Sequence, residues 1–469
     1  MTRPPNILVV LADQLAATAL PSYGNEVVRA PRLARLGGEG IVFERALCAS
    51  PLCVPSRAAL MTGLLPSRTG AIDNAGELPA GVPTFAHRLR VLGYRTVLVG
   101  KMHFVGPDQL HGFEERPMTD VYPAGFDWIP DWELADDERL PWYHDLSSVV
   151  RAGPVRSTLQ LEYDAEVVER AVAVLCEPGP RPLCLVVSFT HPHDPYEVPA
   201  RHWDRYAGVE IDAPVDPDPA DDPVTRRLRA MVGTAPVSPE QALRARRGYY
   251  GAISLVDDYL DALLDALADE TIVVFTSDHG DMLGERGLWY KMAPFEGSIR
   301  VPLIVHGLGR GRVAEPVSLL DLAPTLVQLA GGTTEGLDGI GLADFDPPRR
   351  YLPIEYLAEG VRAPQVTLVR GPSKLVRSLG EPDLVYDVAA DPNERVELGE
   401  AGDLGEAAAL RWDLEALDGA VRESQRERRL VARALELGRR TRWDHPEGTR
   451  RYIDTGDDFW STLERSRRP

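Results

Sequence analysis

The sequence predicts an α/β protein with two parts. A large domain carries a mostly parallel sheet covered by helices, and a smaller C-terminal α+β domain carries an antiparallel sheet. Apolar, partly β-branched runs, typical of strands buried on both faces of a parallel sheet, recur at residues 6–11, 95–99, 181–190 and 271–276. Beyond about residue 350 the pattern changes to short β-like segments, at residues 365–370, 374–377 and 384–388.

Helices are predicted between and after these strands. Residues 251–267 have helical apolar spacing, and residues 321–331 form a helix that ends near Gly331. A long helical stretch follows the small sheet at about residues 406–439. One further strand is predicted at residues 301–305.

The chain length sets the domain organisation. At 469 residues the chain is too long for one simple core. We therefore expect a large domain at residues 1–345, a small domain at 346–440 and a tail at 441–469. The tail has too many aromatic side chains for a free segment. Docking on a neighbouring subunit or on the large domain would bury these side chains. We expect a neighbouring subunit, which makes the protein a homo-oligomer, either a dimer or a tetramer.

Charge and composition exclude several function classes. The formal net charge of -20 argues against nucleic acid as a partner, because phosphate binding needs a basic face. No apolar run is long enough to span a bilayer, so no membrane partner is expected. The four cysteines are too few and too scattered for a disulfide framework. The first apolar run is interrupted by Asp13 and lacks a cleavage site, so we expect a cytoplasmic protein.

The segment at residues 46–70 contains the first candidate site. Pro55 suits the first turn of a helix, and Gly63 suits its C-terminal cap. Cys53 then lies at the positive end of the helix, where anions bind and where the pKa of a thiol is lowered, and Arg57 adds a positive charge one turn later. On these grounds alone, an activated cysteine at an anion site and a structural cysteine have about equal weight.

Polar residues follow the predicted buried strands at their carboxyl ends. In open α/β sheets ligands bind at that edge, so these side chains are expected to converge. Asp13 and Gln14 could offer oxygen ligands to a hard cation, and an Asp that caps the next helix is an equal alternative. The other candidates are Lys101, His103, His191, His193, Asp278, His279 and Lys291.

The sequence around Cys53 resembles the Cys-x-Pro-Ser-Arg signature of type I, formylglycine-dependent sulfatases of the alkaline phosphatase superfamily. Further blocks in family order are GKMH from Gly100, the Pro-His-x-Pro-Tyr run, SDHGD from Ser277 and YKMAPFEGSIRVP from Tyr290. They cover most of residues 5–330. Longer strings, including GKMHFVGPDQLHGFEER, YPAGFDWIPDW and EYLAEG, resemble the choline-sulfatase subgroup. The resemblance implies an alkaline-phosphatase-like large domain and hydrolysis of a sulfate ester.

The resemblance also implies a role for each site residue. Cys53 is oxidised by a formylglycine-generating or sulfatase-maturing enzyme, and the hydrate of the resulting aldehyde attacks sulfur. Arg57 and Lys101 hold the hydrate and the sulfate oxygens, and His103 takes the second hydroxyl proton. His193 and Lys291 stabilise or protonate the leaving alkoxide. One divalent cation is bound by Asp13, Cys53, Asp278 and His279; Ca²⁺ suits these ligands best, and Mn²⁺ or Mg²⁺ are alternatives because of the imidazole.

A small-molecule sulfate ester, choline-O-sulfate, is the substrate that the subgroup implies. A quaternary ammonium group needs an aromatic surface and a carboxylate, because it donates no hydrogen bonds. The loop of residues 106–142 and its neighbourhood offer Trp128, Trp132, Trp142 and His144, although loop packing is an alternative role for each aromatic residue. Glu355 or Glu359 supplies the charge, and Asn74 adds a polar contact.

The chain departs from the family pattern at several positions. Gln14 and His279 stand where many sulfatases have Asp and Asn, respectively. The choline-sulfatase subgroup shares both of these departures. Leu64 replaces an Arg that commonly follows the Thr-Gly of the signature, and the chain is shorter than its subgroup between about residues 212 and 246. Two rival functions remain: a phosphonate monoester or phosphodiester hydrolase with the same fold, and a non-catalytic binder in which Cys53 stays a thiol.

Overall fold

A computed structural model describes residues 4–438, except 123, 136–137, 139, 141–143, 178, 217, 219–220, 234, 269, 343–345 and 349. The predicted tail at residues 441–469 and the candidate aromatic Trp142 lie outside the described residues.

The strands begin near the N-terminus of the described chain and alternate with helices up to residue 387. They are β1 Asn6–Asp13, β2 Ile41–Phe43, β3 Ala46–Leu47, β4 Arg95–Gly100, β5 Gly153–Val155, β6 Leu183–Pro192, β7 Glu197–Pro199, β8 Thr271–Ser277, β9 Arg300–Val301, β10 Leu303–His306, β11 Gly311–Val313, β12 Val317–Ser318, β13 Leu352–Tyr356, β14 Gln365–Arg370, β15 Ser373–Ser378 and β16 Leu384–Asp387.

The helices vary from one turn to seven. They are α1 Pro31–Glu39, α2 Cys53–Thr62, α3 Pro66–Thr69, α4 Phe85–Val91, α5 Ser147–Arg151, α6 Leu159–Leu175, α7 Ala200–Trp203, α8 Pro223–Val232, α9 Pro239–Asp265, α10 Glu296–Ile299, α11 Leu322–Leu329, α12 Gly402–Arg411 and α13 Leu414–Gly438. Short 3₁₀ helices cover Ala17–Ala19, Pro21–Tyr23, Asp204–Tyr206, Glu285–Gly287 and Leu319–Asp321.

The seven-stranded main sheet brings the candidate residues to one edge. Its order is β11-β2-β10-β8-β1-β6-β4, and the four strands β8, β1, β6 and β4 are parallel to one another. These four are the buried strands that the sequence predicts. Because they run in the same direction, their carboxyl ends share one edge of the sheet. The fifth predicted strand is divided: β9 joins β3, whereas β10 runs antiparallel to β8.

Both faces of the main sheet are covered, as the continuous apolar runs predict. Leu8 and Val10 of β1 pack into a cluster with α6 and α9 on one face. Ile7 and Val9 point to the other face, where α2, α4 and α11 complete the core. The alternation follows from the pleat of the strand, which directs successive side chains to opposite faces. All of these strand side chains are fully buried or nearly so.

The smaller sheet is antiparallel, with the order β13-β14-β15-β16. Leu368 and Leu375 pack under α12. The helical stretch predicted as one unit is two helices, because Trp412 takes extended backbone angles between α12 and α13 and its indole Nε1 donates to Glu355. Within the described residues, none of the helices is long and apolar enough to cross a bilayer.

Candidate active site

Helix α2 presents Cys53 to the carboxyl edge of the main sheet. Cys53 is its first residue, Pro55 lies in the first turn, and Gly63 ends the helix with φ of 70°, a conformation that suits glycine. The Cys53 side chain is buried. Its Sγ atom lies 3.2 Å from Nε2 of His279 and 3.8 Å from Nζ of Lys101. The residue therefore faces the ends of β4 and β8.

The surroundings of Cys53 favour negative charge. Burial by itself raises the pKa of the thiol, but the positive charges of Lys101 and Lys291 outweigh burial and hold this pKa well below its usual range. A thiolate is the reactive form of cysteine. Cys48, which is also buried, has its pKa raised by burial, so the activation is specific to position 53.

Arg57 forms hydrogen bonds to residues at the carboxyl ends of the parallel strands. Its Nε donates to Oδ2 of Asp278 over 2.8 Å, and its Nη2 donates to Oδ2 of Asp13 over 3.0 Å. Its Nη1 donates to the carbonyl of Lys101 and to Oγ of Ser188, over 2.8 and 2.9 Å. These bonds commit most of the guanidinium to protein groups. The structure thus places Arg57 as the support of the Asp13 and Asp278 carboxylates. The resemblance, by contrast, implies that Arg57 contacts the hydrate and the sulfate oxygens.

Four side chains form a group that could hold a metal ion: Asp13, Cys53, Asp278 and His279 offer atoms within 4.8 Å of one another. All four are buried. Oδ1 of Asp13 has no hydrogen-bond partner among the described residues. A buried carboxylate oxygen without a partner is costly, and a cation would satisfy it. Two carboxylates with an imidazole fit a divalent cation.

The carboxylate of Asp13 is kept ionised by its neighbours. Burial alone would raise its pKa, but the adjacent Lys101 ammonium outweighs burial, and the pKa lies below its usual range. Lys101 itself has its pKa raised, because the attraction of Asp13 and Cys53 exceeds the cost of burying its charge. The ammonium also lies over the ring of Tyr122, 4.3 Å from its centroid. A positive charge is therefore held beside Cys53.

Lys291 and His193 form a second cationic unit on the other side of Cys53. Nζ of Lys291 lies 2.5 Å from Nε2 of His193 and donates to Oε1 of Gln14 over 2.8 Å. Nδ1 of His193 lies 2.7 Å from the carbonyl of Asp194. Because that carbonyl only accepts, Nδ1 carries a proton, and Nε2 is the atom that faces Lys291. Gln14, a candidate metal ligand in the sequence, thus orients Lys291 through its side chain.

His103 reaches the same cleft from the end of β4. It has a positive φ of 60°, which two backbone bonds support: the N–H groups of Met102 and His103 donate to Oδ2 of Asp120 over 2.8 and 2.7 Å. Its ring stacks on Tyr122, with centroids 4.7 Å apart. Burial lowers the pKa of this imidazole, and neither ring nitrogen has a hydrogen-bond partner among the described residues. His103 is therefore a buried base beside Cys53.

A cavity of about 100 Å³ opens above Cys53. It is lined by Cys53, Asn74, His103, Tyr122, Trp128, His144, His193, Lys291 and Glu359. Most of the candidate substrate-binding residues therefore meet around one space. Tyr122 is a lining residue that the sequence analysis missed, although it begins the YPAGFDW string that contains Trp128.

Glu355 is not brought to this cavity, which corrects its assignment as a substrate-binding residue. Its Oε1 accepts from Oγ of Ser67 and from Nε1 of Trp412, over 2.9 and 2.8 Å, and its Oε2 accepts from N of Ser67. Trp132 is also engaged elsewhere, since its Nε1 donates to the carbonyl of Ala358. Both side chains are satisfied by protein groups. Neither residue lines the cavity.

Glu359 is the acidic group of the cavity. It is 4% exposed, and its Oε2 has no hydrogen-bond partner among the described residues. Burial raises the pKa of this carboxyl to about 8. A buried carboxylate without a donor nearby suits a cation that carries no N–H group.

His144 lies between the cavity and Asp194. Its ring stacks on Tyr290, with centroids 5.0 Å apart, and burial lowers its pKa to about 4. It is therefore neutral near pH 7. His144, His193 and Asp194 form a second group with metal-compatible spacing. The contacts of His193 with the Asp194 carbonyl and with Lys291 occupy both of its ring nitrogens. Asn74 contributes from another wall, where its Oδ1 accepts from N of Val54.

The Leu64 departure leaves the local geometry intact. Its backbone N–H donates to Oγ1 of Thr62 over 3.2 Å, just past the end of α2. The side chain is half-buried. The cap of the helix is therefore formed by Gly63 and Thr62, without a charged side chain at position 64.

Comparisons with known proteins agree with this geometry. A family model described as Sulfatase matches residues 5–332. The choline-sulfatase of Rhizobium meliloti is 42% identical, over 100% of this chain and 99% of that relative. The phosphonate monoester hydrolase of Agrobacterium radiobacter has a TM-score of 0.69 at 25% identity, over 92% of this chain and 96% of that one. A putative sulfatase from Bacteroides thetaiotaomicron has a TM-score of 0.67 at 24% identity, over 90% and 93% of the two chains. The predicted alkaline-phosphatase-like fold is confirmed.

Proposed function

This chain belongs to the sulfatase family and is a sulfuric ester hydrolase, and from that premise we propose that its substrate is choline-O-sulfate, which it cleaves to choline and sulfate. The observation that carries the proposal is the position of Glu359: it is a buried carboxyl in the same cavity as Cys53, and its Oε2 has no hydrogen-bond partner among the described residues. The similarity to a choline-sulfatase over the full chain supports it.

The cavity chemistry matches a quaternary ammonium group. Trp128, Tyr122 and His144 supply ring surface, and Glu359 supplies a carboxyl group that becomes negative above its raised pKa of about 8. Cation–π attraction to aromatic faces, together with a carboxylate, binds a cation that offers no hydrogen-bond donor. A small cavity of about 100 Å³ also disfavours a large alcohol group. The choline end would therefore lie against these residues, with the sulfate group toward Cys53.

We propose Cys53, matured to formylglycine, as the source of the nucleophile. The low pKa of its thiol suits an oxidative maturation, because the thiolate is the reactive form. The partner implied is a formylglycine-generating or sulfatase-maturing enzyme. Mass spectrometry of the peptide that contains Cys53, from protein made in its native host, tests this step. The mass expected for conversion of CH₂SH to CHO supports it, whereas an unmodified thiol would favour the non-catalytic binder.

The metal ligands proposed are Asp13, Asp278, His279 and the group at position 53. A divalent cation held there supplies positive charge that favours an anionic oxygen at position 53 and polarises the sulfate group. Ca²⁺ remains the preferred ion, with Mn²⁺ and Mg²⁺ as alternatives. Arg57 holds the two carboxylates in place.

Protein side chains move the protons on both sides of the reacting centre. His193 and Lys291 face the departing choline oxygen, and the hydrogen-bonded pair of Lys291 Nζ and His193 Nε2 is the source of its proton. His103, buried beside Cys53 with a lowered pKa, is the base that takes a proton from the group at position 53. Lys101 keeps positive charge next to the sulfate oxygens.

Turnover of matched esters tests the substrate. The matured protein is assayed with choline-O-sulfate, with an aryl sulfate and with a phosphonate monoester. A preference for choline-O-sulfate in kcat/KM supports the proposal. A preference for the phosphonate monoester would replace it with the rival hydrolase, which the fold similarity to the Agrobacterium enzyme supports. Phosphorus and sulfur oxyanions share tetrahedral geometry, so only kinetics separates these functions.

We also propose a cytoplasmic, oligomeric protein. All four cysteines are unpaired thiols, and Cys176 is exposed, which suits a reducing compartment. Leu430, Val431 and Leu435 are exposed on α13, which precedes the aromatic residues 441–469 in the sequence. Sedimentation of the full chain and of a chain ending at residue 440 tests the assembly. A smaller species from the truncated chain supports docking of the tail on a neighbouring subunit, and equal species with equal activity would contradict it.

A further inference from the structure

A buried ion pair joins the last described helix to the wall of the active-site cavity. Arg428 of α13 donates from Nη1 to Oδ1 of Asp73 over 2.8 Å and from Nη2 to Oδ2 over 2.6 Å. Asp73 is fully buried, and 18% of the Arg428 side chain is exposed. Oδ1 of Asp73 also accepts from N of Ala75. Two parallel bonds of this kind fix orientation as well as distance.

The ion pair determines where Asn74 lies. Asn74 follows Asp73 directly, lines the cavity, and accepts through Oδ1 from N of Val54 over 3.1 Å. Val54 is the residue after Cys53. A continuous chain of contacts therefore runs from Arg428 through the turn at residues 73–75 to the first turn of α2.

The same helix also holds the aromatic wall on the other side of the cavity. Oε1 of Gln425 accepts from N of Trp132 over 3.2 Å, and Nη1 of Arg422 donates to the carbonyl of Trp132 over 3.2 Å. Trp128, four residues earlier in this loop, lines the cavity. Helix α13 thus contacts both the Asn74 turn and the loop that carries Trp128.

Charge gives the ion pair a second effect. After burial, the Asp73 carboxylate is among the causes that raise the pKa of Glu359. The guanidinium of Arg428 compensates the negative charge of the Asp73 carboxylate. Without Arg428, the negative charge of Asp73 would be uncompensated near Glu359, and the Asn74 turn would lose its anchor.

We propose that Arg428 is a positioning residue for substrate specificity, which holds the Asp73–Asn74 turn at the spacing that a choline group requires. The inference rests on the proposed function, since it names the end of the substrate that this wall contacts. Arg428 does not touch the substrate. It acts through Asp73 and Asn74.

The test compares two substrates in the matured full-length protein. Arg428→Gln should raise KM for choline-O-sulfate by about tenfold, while kcat for an aryl sulfate, which lacks the ammonium group, changes by less than about threefold. Arg428→Lys keeps the charge but not the paired geometry and should give an intermediate KM. Arg426→Gln is the matched control on the same helix, because the ion pair of Arg426 with Glu133 is exposed at the surface. It should leave both substrates unchanged.

The outcomes separate this inference from the proposed function. Wild-type protein without choline-O-sulfate turnover would overturn the proposed function. Normal wild-type turnover with an unchanged KM in Arg428→Gln, or equal losses on both substrates, would overturn the role of Arg428. If Arg428→Gln does not fold, Asp73→Asn serves instead, because it keeps the shape of the turn and removes the charge. A choline-specific rise in KM is again the supporting result, and an unchanged KM overturns the role.

Discussion

Nζ of Lys291 lies 2.5 Å from Nε2 of His193, while Nδ1 of the same ring is held 2.7 Å from the Asp194 carbonyl. The histidine is therefore locked between a carbonyl and an ammonium group, with one edge toward the cavity. In the proposed mechanism, this arrangement would direct a proton-bearing pair at the alcohol oxygen of the ester. Loss of this pair should therefore slow esters whose leaving group must be protonated more than esters whose leaving group departs as a stable anion.

Loss of His193 should affect substrates unequally. His193→Ala should lower kcat for choline-O-sulfate by ~10²–10⁴-fold, because an alkoxide is a poor leaving group without a proton donor. An aryl sulfate with a nitrophenolate leaving group should lose less than about tenfold, since that anion leaves unprotonated. Steady-state kinetics with both esters measures the difference. Equal losses would contradict a role for His193 on the leaving-group side.

Arg57 should matter for stability as well as for activity. Arg57→Met removes the charge that bridges Asp13 and Asp278, both fully buried, and should lower the free energy of unfolding by about 3–5 kcal/mol in the metal-free protein. Urea unfolding measures this change. Arg426→Met, at the exposed pair with Glu133, is the control and should cost about 1 kcal/mol or less. A metal-free Arg57→Met protein as stable as wild type would show that the two carboxylates do not need their clamp.

Removal of the divalent cation should be reversible and should lower thermal stability. A ligand that binds only the folded state at about 100 times its Kd stabilises by about 2.7 kcal/mol, so the melting temperature should rise with added Ca²⁺ after chelation. Asp13→Asn should weaken this dependence, because it removes a charged ligand. Differential scanning fluorimetry across Ca²⁺, Mn²⁺ and Mg²⁺ ranks the ions. A melting temperature that does not respond to any of them would contradict the metal site.

Choline binding should strengthen as the pH rises. The pKa of Glu359 is raised to about 8 by burial, so the carboxyl is largely neutral below that pH and charged above it. The inhibition constant of choline against aryl sulfate turnover should therefore fall between about pH 6.5 and about pH 9. The pKa of His144, lowered to about 4, keeps that ring neutral throughout this range.

Two variants of similar chemistry provide the control for this pH effect. Glu359→Gln should bind choline weakly and without the pH dependence. Glu355→Gln should keep the wild-type dependence, because Glu355 is bonded to Ser67 and Trp412 outside the cavity. A pH dependence that persists in Glu359→Gln would assign the titration to another group.

The sequence was sufficient to predict those site residues that directly follow a recognisable buried strand of the parallel sheet. Buried strands could be recognised from their apolar runs, and the groups after them had to meet, because parallel neighbours end at the same edge. Asp13, Lys101, His193 and Asp278 converge for this reason. The start of α2 near Cys53 and its cap at Gly63 could also be predicted, since helix caps depend on residues that are close in the sequence.

Contacts between distant loops could not be read in this way. Glu355 and Glu359 stand four residues apart in one string, yet only Glu359 enters the cavity. The break between α12 and α13 at Trp412 depends in the same way on a contact with Glu355. Packing between residues far apart in the chain decides both, and no periodicity encodes it.

The sequence by itself determined the fold class, the family and the set of groups at the strand ends. Only the tertiary structure decided which partner each of these groups contacts. Arg57 supports the carboxylates of the proposed metal ligands, and Gln14 orients Lys291. Arg428 bonds to Asp73, which is 355 residues away in the chain. The physical reason is the range of the interactions. Strand burial and helix capping are set within a few residues, whereas a buried charge finds its partner only after the whole chain has packed.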